Sequence, residues 1–234
     1  MNALVLWQCG LILLAVGFIF LYRLRLINFK LFAAGLAFSF LSCFVLGLIS
    51  LYGLFFWEKA TFGIYISGVL ALTLGLMLVI LISKIKSVPR IHDITTDIDN
   101  PPLFQQAAQQ REVTDNSLEY NPDNLRHQQQ AYPYIQPLYL SDDVDAIFKR
   151  ALAAADVMGW IVYHIDNTQH VFEAKEVSAL FGFADDIIVL VQHTDSGSRI
   201  DVRSASRVGA SDIGANAKRI RRYLAILDGS SKVA

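Results

Sequence analysis

The sequence predicts a membrane protein in two parts: three transmembrane helices, then an α+β domain with an antiparallel sheet and flanking helices. Three observations carry this. Up to Ser83 the only charged side chains are Arg23, Arg25, Lys30, Glu58 and Lys59, whereas from Lys84 onward charges come at the density of a globular domain. The first part holds three long apolar runs without a charge. In the second part helical periodicity gives way to period-two alternation and then returns. So sharp a change of composition marks two domains in two solvents.

A bilayer core about 30 Å thick needs about 20 apolar helical residues to cross it. Ala3–Tyr22, Leu31–Phe56 and Phe62–Ser83 qualify, separated by Arg23–Lys30 and Trp57–Thr61. Core helices of a soluble protein would be shorter and would keep a polar face. Trp7, Tyr22, Tyr52, Trp57 and Tyr65 lie mostly near the segment ends, where amphipathic rings prefer the headgroup layer. Gly47, Gly53, Gly63, Gly68 and Gly75 permit close helix packing. No segment carries an ionisable group at membrane depth, so transport or channel activity is not expected. Cys9 and Cys43 both lie in this block, which leaves the rest of the chain without disulfide chemistry. Cys9–Gly10 is not read as a lipidation site, because Asn2–Gln8 has no basic residue and is too short for a signal core.

Orientation follows from the basic residues. Arg23, Arg25 and Lys30 fall in the first loop, and Lys84, Lys86 and Arg90 follow the third segment. With three spans these lie on one side, while the other side has Lys59 offset by Glu58. The bias places the N-terminus outside and the soluble domain in the cytoplasm.

The expected domains are a membrane block (1–86), a proline- and glutamine-rich arm packing on the soluble domain (87–140), and an α+β core (141–229). Six prolines punctuate the arm from Pro89 to Pro137, so it reads as extended or irregular. Phe104, Tyr120, Tyr132 and Tyr134 are the residues expected to pack it down. In the core, Ser141 is expected to cap a helix whose apolar face is Val144, Ile147, Phe148, Leu152 and Val157. Strands are expected at Trp160–Ile165, His170–Ser178, Ile187–His193 and Arg199–Ser206, with a hairpin turn at Ser196–Gly197. A last helix starting near Ser211 or Asp212 carries Ile213, Ala217, Ile220, Leu224 and Leu227 on one stripe. Helix, about four antiparallel strands and helix suggest a sheet with helices on one face.

The net charge of −1 combines a basic membrane block with an acidic soluble part, which argues against a nucleic-acid partner. Several motifs then carry a resemblance. Ile91-His92-Asp93-Ile94-Thr95-Thr96-Asp97 is followed by Asn100-Pro101-Pro102, and later by Gln130-Ala131-Tyr132-Pro133. Phe181-Gly182-Phe183-Ala184-Asp185-Asp186 comes next, and Asp201-Val202-Arg203-Ser204-Ala205-Ser206-Arg207-Val208-Gly209 closes the series with Asp212, Gly214, Asn216 and Lys218-Arg219-Ile220. Together they resemble the domain-of-unknown-function family numbered 1499, over residues 88–227. The closing motif is the most specific. The resemblance implies a membrane or envelope setting in bacteria, here the inner membrane, with relatives in plastids and some relatives exported. It implies no established activity.

The closing motif is also the leading functional candidate. Arg199, Arg203 and Arg207 lie on or beside one strand, with Ser204 and Ser206 between them, and Asp212, Asn216 and Arg219 follow at the next helix. Guanidinium forks beside a helix N-terminus make an anion site, whereas pairing of Arg203 or Arg207 with Asp201, Asp212 or Asp93 makes a structural lock. Lys218, Arg219, Arg221 and Arg222 form a basic stripe that suits anionic lipid or simply water. His92, Asp93, Thr95 and Asp97 are secondary candidates for acid–base work, against a plain turn. Asp185 and Asp186 are adjacent carboxylates better suited to a strand start, and His164 and His170 flank one hairpin. No cofactor or metal is expected, since no phosphate-binding glycine loop, nucleophile elbow or metalloprotease motif is present. The expected function is a noncatalytic membrane-anchored binding or assembly module recognising an anionic group, a lipid headgroup or a membrane-protein complex. The alternative is a hydrolase or transferase on an anionic substrate with His92 and Asp93 as acid–base groups.

Overall fold

The computed structural model describes residues 3–56 and 62–229. Trp57, Glu58 and Lys59, used above for segment ends and orientation, lie outside the described residues. The chain forms two compact units, Met1–Ser87 with Ala179–Gly182, and Val88–Ser178 with Phe183–Ala234.

The first unit is built on α1 (Ala3–Arg23), α2 (Phe29–Phe56) and α3 (Phe62–Ser87). All three are long and apolar enough to cross a membrane. Leu13, Phe40 and Leu72 are typical of their outward side chains, all exposed, as lipid-facing residues are. Glycine sets the approach of α2 to α3. A Cβ on Gly47 would stand 1.9 Å from the Ala71 Cβ, and one on Gly68 would stand 2.7 Å from Leu51. Such contacts let backbones touch where no water-driven force holds helices together. Two polar contacts add to this. Gln8 Nε2 donates to the Cys43 carbonyl at 3.2 Å, and the Ser50 and Ser67 hydroxyls meet at 2.6 Å. Gln8 is an uncharged polar residue that an inventory of ionisable groups passes over.

The second unit holds a six-stranded antiparallel sheet in the order β1-β6-β5-β4-β3, with β2 also on β6. The strands are β1 (Asp93–Thr95), β2 (Leu138–Leu140), β3 (Ile161–Asp166), β4 (Val171–Val177), β5 (Ala184–Thr194) and β6 (Gly197–Ser206). The last four match the expected strands. β1 and β2 are additions: β1 pairs with residues 203–205 of β6 and β2 with 198–200, so the two share one edge. Each has three residues, too few to show a period. The helix α4 (Asp123–Ala131) is also new, inside what reads as an irregular arm. Its sequence DNLRHQQQA has no apolar stripe for periodicity to detect.

Three local expectations are corrected. The helix α5 (Val144–Val157) is capped by Asp143, whose carboxylate accepts from the Asp145 N–H at 3.0 Å, and not by Ser141. The last helix, α6 (Ala215–Leu227), starts after Gly214 at φ 79° rather than at Ser211 or Asp212. Thr194 pairs with Gly197, so the hairpin turn is Asp195–Ser196 and Gly197 already belongs to the strand.

Alternation divides the sheet into two unlike faces. On one, Phe172, Ala174, Ile187, Val189, Val191, Ile200 and Val202 pack against α5 and α6 as the apolar core. Trp160 stacks on Tyr223 at 4.6 Å, and the Tyr223 hydroxyl donates to the Ala151 carbonyl. The other face carries Glu173, Asp186, Asp201 and Arg203, each buried despite its charge. The arm lies over this face. Glu173 accepts from the Gln105 and Gln106 N–H groups, and Arg111 donates to Asp186, to the Asn116 carbonyl and to the Ala205 carbonyl. An irregular segment cannot satisfy its own backbone, so the charged sheet face does it instead. At the outer edge of β1 the Gln128 carboxamide takes both the Thr95 N–H and carbonyl, at 3.1 and 2.7 Å, like one more strand residue.

Replacing Gly47 with leucine should wedge α2 from α3 and lower the stability of the full chain in detergent by about 1–3 kcal/mol, the usual penalty of overpacking. Gly10→Leu is the control, because an added Cβ there meets nothing within 4 Å. Equal melting losses for the two variants would refute the glycine contact.

Candidate functional site

The arginines of the closing motif lie together, and each guanidinium is neutralised inside the protein. Arg203 and Asp93 form a two-pronged pair at 3.0 and 2.7 Å. Arg203 also donates to the Pro102 and Leu118 carbonyls at 3.0 and 2.8 Å, and it stands over both the Phe104 and Tyr120 rings, 5.1 and 5.3 Å from their centroids. Arg207 forks onto Asp186 at 3.1 and 2.7 Å and reaches the Gln110 carbonyl. Burial pulls the Arg207 pKa down, but Asp186 more than reverses this and leaves it above its ordinary value. Arg199, the most exposed of the three, sits 2.5 Å from Asp97 and 2.8 Å from Asp201.

The helix N-terminus is filled as well. Asp212 accepts from the Gly214 and Asn216 N–H groups at 2.9 and 2.6 Å, so its own carboxylate occupies the place an external anion would take. Burial raises the Asp212 pKa, and those two bonds offset part of the rise. Arg219 donates to Glu176, Asn216, Asp185 at 2.6 Å and Ser204 at 3.0 Å. Only Lys218, Arg221 and Arg222 of the basic stripe are exposed, and Arg221 stands over the Tyr134 ring. The anion corner expected at Arg203, Arg207 and Arg219 is therefore an internal lock: its donors are spent on carboxylates and backbone of the same chain.

Adjacent Asp185 and Asp186 point to opposite sheet faces, one to Arg219 and the other to Arg111 and Arg207, so they are not a working pair. His164 and His170 do not meet either: one reaches Gln105 and the other Asp145. Thr95 turns its hydroxyl to the Asp97 carbonyl, and Asp97 closes a turn by accepting from the Asp99 and Asn100 N–H groups.

The lock has one consequence at the surface. Asn216 Nδ2 donates to the His92 carbonyl at 2.9 Å and to Ser206 Oγ at 3.0 Å, and the Ser206 N–H donates to the same His92 carbonyl at 2.8 Å. The Ser204 hydroxyl meets Asn216 Oδ1 at 2.7 Å. The backbone of His92 is thus clamped between the two motifs. Its ring lines a cleft of about 440 Å³ with Arg90, Asn116, Glu119, Asn121 and Asn124. His92 Nδ1 is buried without a hydrogen-bond partner among the described residues. A buried polar atom is normally paired; this one lies beneath the cleft surface and is not exposed to it. Sequence reasoning singled out His92 but missed Asn116, Asn121 and Asn124, which sit in the arm without a motif of their own.

The lock makes a stability claim. Arg203→Met keeps the bulk but leaves Asp93 buried and unpaired, which should cost about 3–5 kcal/mol in denaturant unfolding of the full chain. The amides of residues 102–120 should lose hydrogen-exchange protection at the same time. Wild-type stability with protection intact would show that the pair does not hold the arm.

The family described as "Protein of unknown function (DUF1499)" matches residues 93–227, more than half of the chain. No curated protein matches it. The matched span runs from the first strand to the end of the last helix, taking in both halves of the lock and most of the arm and cleft, though not Arg90 and His92, and on that match the chain belongs to the DUF1499 family of proteins of unknown function.

Proposed function

We propose that this protein is a noncatalytic binding module anchored in a membrane, which takes the polar headgroup of a membrane lipid in the His92 cleft. The observation that carries the reading is a polar cleft lined by Arg90, His92, Asn116, Glu119, Asn121 and Asn124, with the His92 carbonyl held by Asn216 and the Ser206 N–H. The cleft volume falls within the range of about 300–1,000 Å³ usual for small-molecule sites. Only Val88 and Pro89 separate Arg90 from Ser87 at the end of α3, and a tether that short keeps bilayer ligands at high effective concentration.

The alternative of acid–base catalysis by His92 and Asp93 draws less support. Both Asp93 oxygens are engaged by Arg203, so the carboxylate is poorly placed to take a proton or to orient the His92 ring. The proposal also covers orientation: by the bias of Arg23, Arg25, Lys30, Lys84, Lys86 and Arg90, the second unit faces the cytoplasm of a bacterial inner membrane. A membrane-protein complex remains a partner of the second kind, through the exposed Lys218, Arg221 and Arg222.

Full-length protein released from lipid nanodiscs should retain a lipid in native mass spectrometry, and Asn124→Leu should lose it while keeping its melting temperature. Empty wild-type protein, or the same lipid in the folded variant, would end the headgroup reading. A pair of C-terminal reporters, one active only in the cytoplasm and one only after export, should give the cytoplasmic signal. Export would reverse the orientation and move the cleft to the envelope side.

A further inference from the structure

We infer that the His92 cleft takes an uncharged, hydroxyl-rich group, the chemistry of a sugar headgroup rather than of a phosphate. The inference rests on reading the cleft as the binding site, and it follows from what each lining group still has to offer. Charge comes first. Asp93, which touches the cleft, is already neutralised by Arg203. Arg90 and Glu119 carry opposite signs, so the lining offers a lone anion one attractive and one repulsive group.

The hydrogen-bonding inventory points the same way. Asn116 spends both hydrogens of its carboxamide on the Ser206 and Gly209 carbonyls, at 3.0 and 2.9 Å, which leaves its oxygen as an acceptor. Asn121 is the reverse: its oxygen accepts from the Asp123 N–H at 2.9 Å, which leaves its NH2 as a donor. The Asn124 carboxamide is uncommitted among the described residues and supplies both kinds. Donors and acceptors are therefore both present in one cleft. A phosphate only accepts and an ammonium only donates, and each would leave half of this lining unpaired. A hydroxyl does both, and neighbouring hydroxyls on a sugar ring match mixed partners at short spacing.

The same chemistry reaches the protein from two sources, a glycolipid headgroup in the bilayer or a free oligosaccharide. The test uses the full chain, purified in a detergent without a sugar headgroup and placed in nanodiscs. Hydrogen exchange is followed over residues 116–124 in nanodiscs of phosphatidylcholine with phosphatidic acid, whose headgroups have no alcohol hydroxyl, in the same nanodiscs with added glucosyl diacylglycerol, and in the first kind with free maltose. The glucosyl lipid should slow exchange in this segment by at least about tenfold. Protection by the lipid but not by maltose identifies the bilayer source, and protection by both identifies the free sugar; either supports the inference.

Asn124→Leu should remove the protection, and Asn124→Gln, which keeps the carboxamide, should restore part of it. Should Asn124→Leu fail to fold, Asn121→Asp, which keeps an oxygen for the Asp123 N–H but removes the donor, makes the same test. Protection by the phosphatidic acid nanodiscs that sugar does not increase overturns the sugar inference and leaves the headgroup reading standing. No protection by any lipid or sugar overturns both.

Discussion

Arg203 and Asp93 stand on neighbouring strands with side chains 1% and 3% exposed, and the polar half of the soluble domain is organised round them. Removing two charges from water is expensive, and mutual attraction rarely repays it unless every remaining donor is also used. Here the remaining donors go to the Pro102 and Leu118 carbonyls, which lie sixteen residues apart in the arm, while the Phe104 and Tyr120 rings both contact the guanidinium. One side chain thus fixes both ends of an irregular segment. Asp186 does the same further along, taking Arg207 from beyond β6 and Arg111 from the arm.

This division of labour explains an otherwise odd sheet. An antiparallel sheet with helices on one side commonly leaves the other to water. In this domain the second face holds Glu173, Asp186, Asp201 and Arg203, all buried, beneath a layer with little regular structure. The apolar face supplies the usual hydrophobic stabilisation. The charged face supplies specificity of position, because each carboxylate and guanidinium accepts one arrangement of the arm and penalises others by leaving a charge unpaired.

The cleft is a by-product of that specificity. Asn216, held by Ser204 and Ser206, fixes the His92 carbonyl, and the arm brings Asn116, Asn121 and Asn124 to the same place. Residues that looked like ligand contacts therefore act one step behind the surface, positioning others. The membrane block contributes a different kind of order: Gly47 and Gly68 let α2 and α3 touch, and the Ser50–Ser67 contact supplies a polar bond where lipid offers none.

Features carried by local repetition were legible in the sequence. The three spanning helices announce themselves through uninterrupted apolar length, β3 to β6 through alternation, and α5 and α6 through their stripes, because each signal is summed over many residues. The family was legible for a similar reason, in the run from Asp201 to Gly209 and its following helix. Arg203, Arg207 and Arg219 were legible as a cluster, but their role was not: whether a guanidinium faces a ligand or Asp93 depends on a partner 110 residues away in the chain. β1, β2 and α4 were silent because three-residue strands have no period and DNLRHQQQA has no apolar face. The His92 cleft joins residues from both motifs and the arm through contacts distant in sequence. Periodicity, composition and capping residues determined the elements; long-range pairing of buried charges, which no local pattern encodes, decided how the arm folds and where the cleft opens.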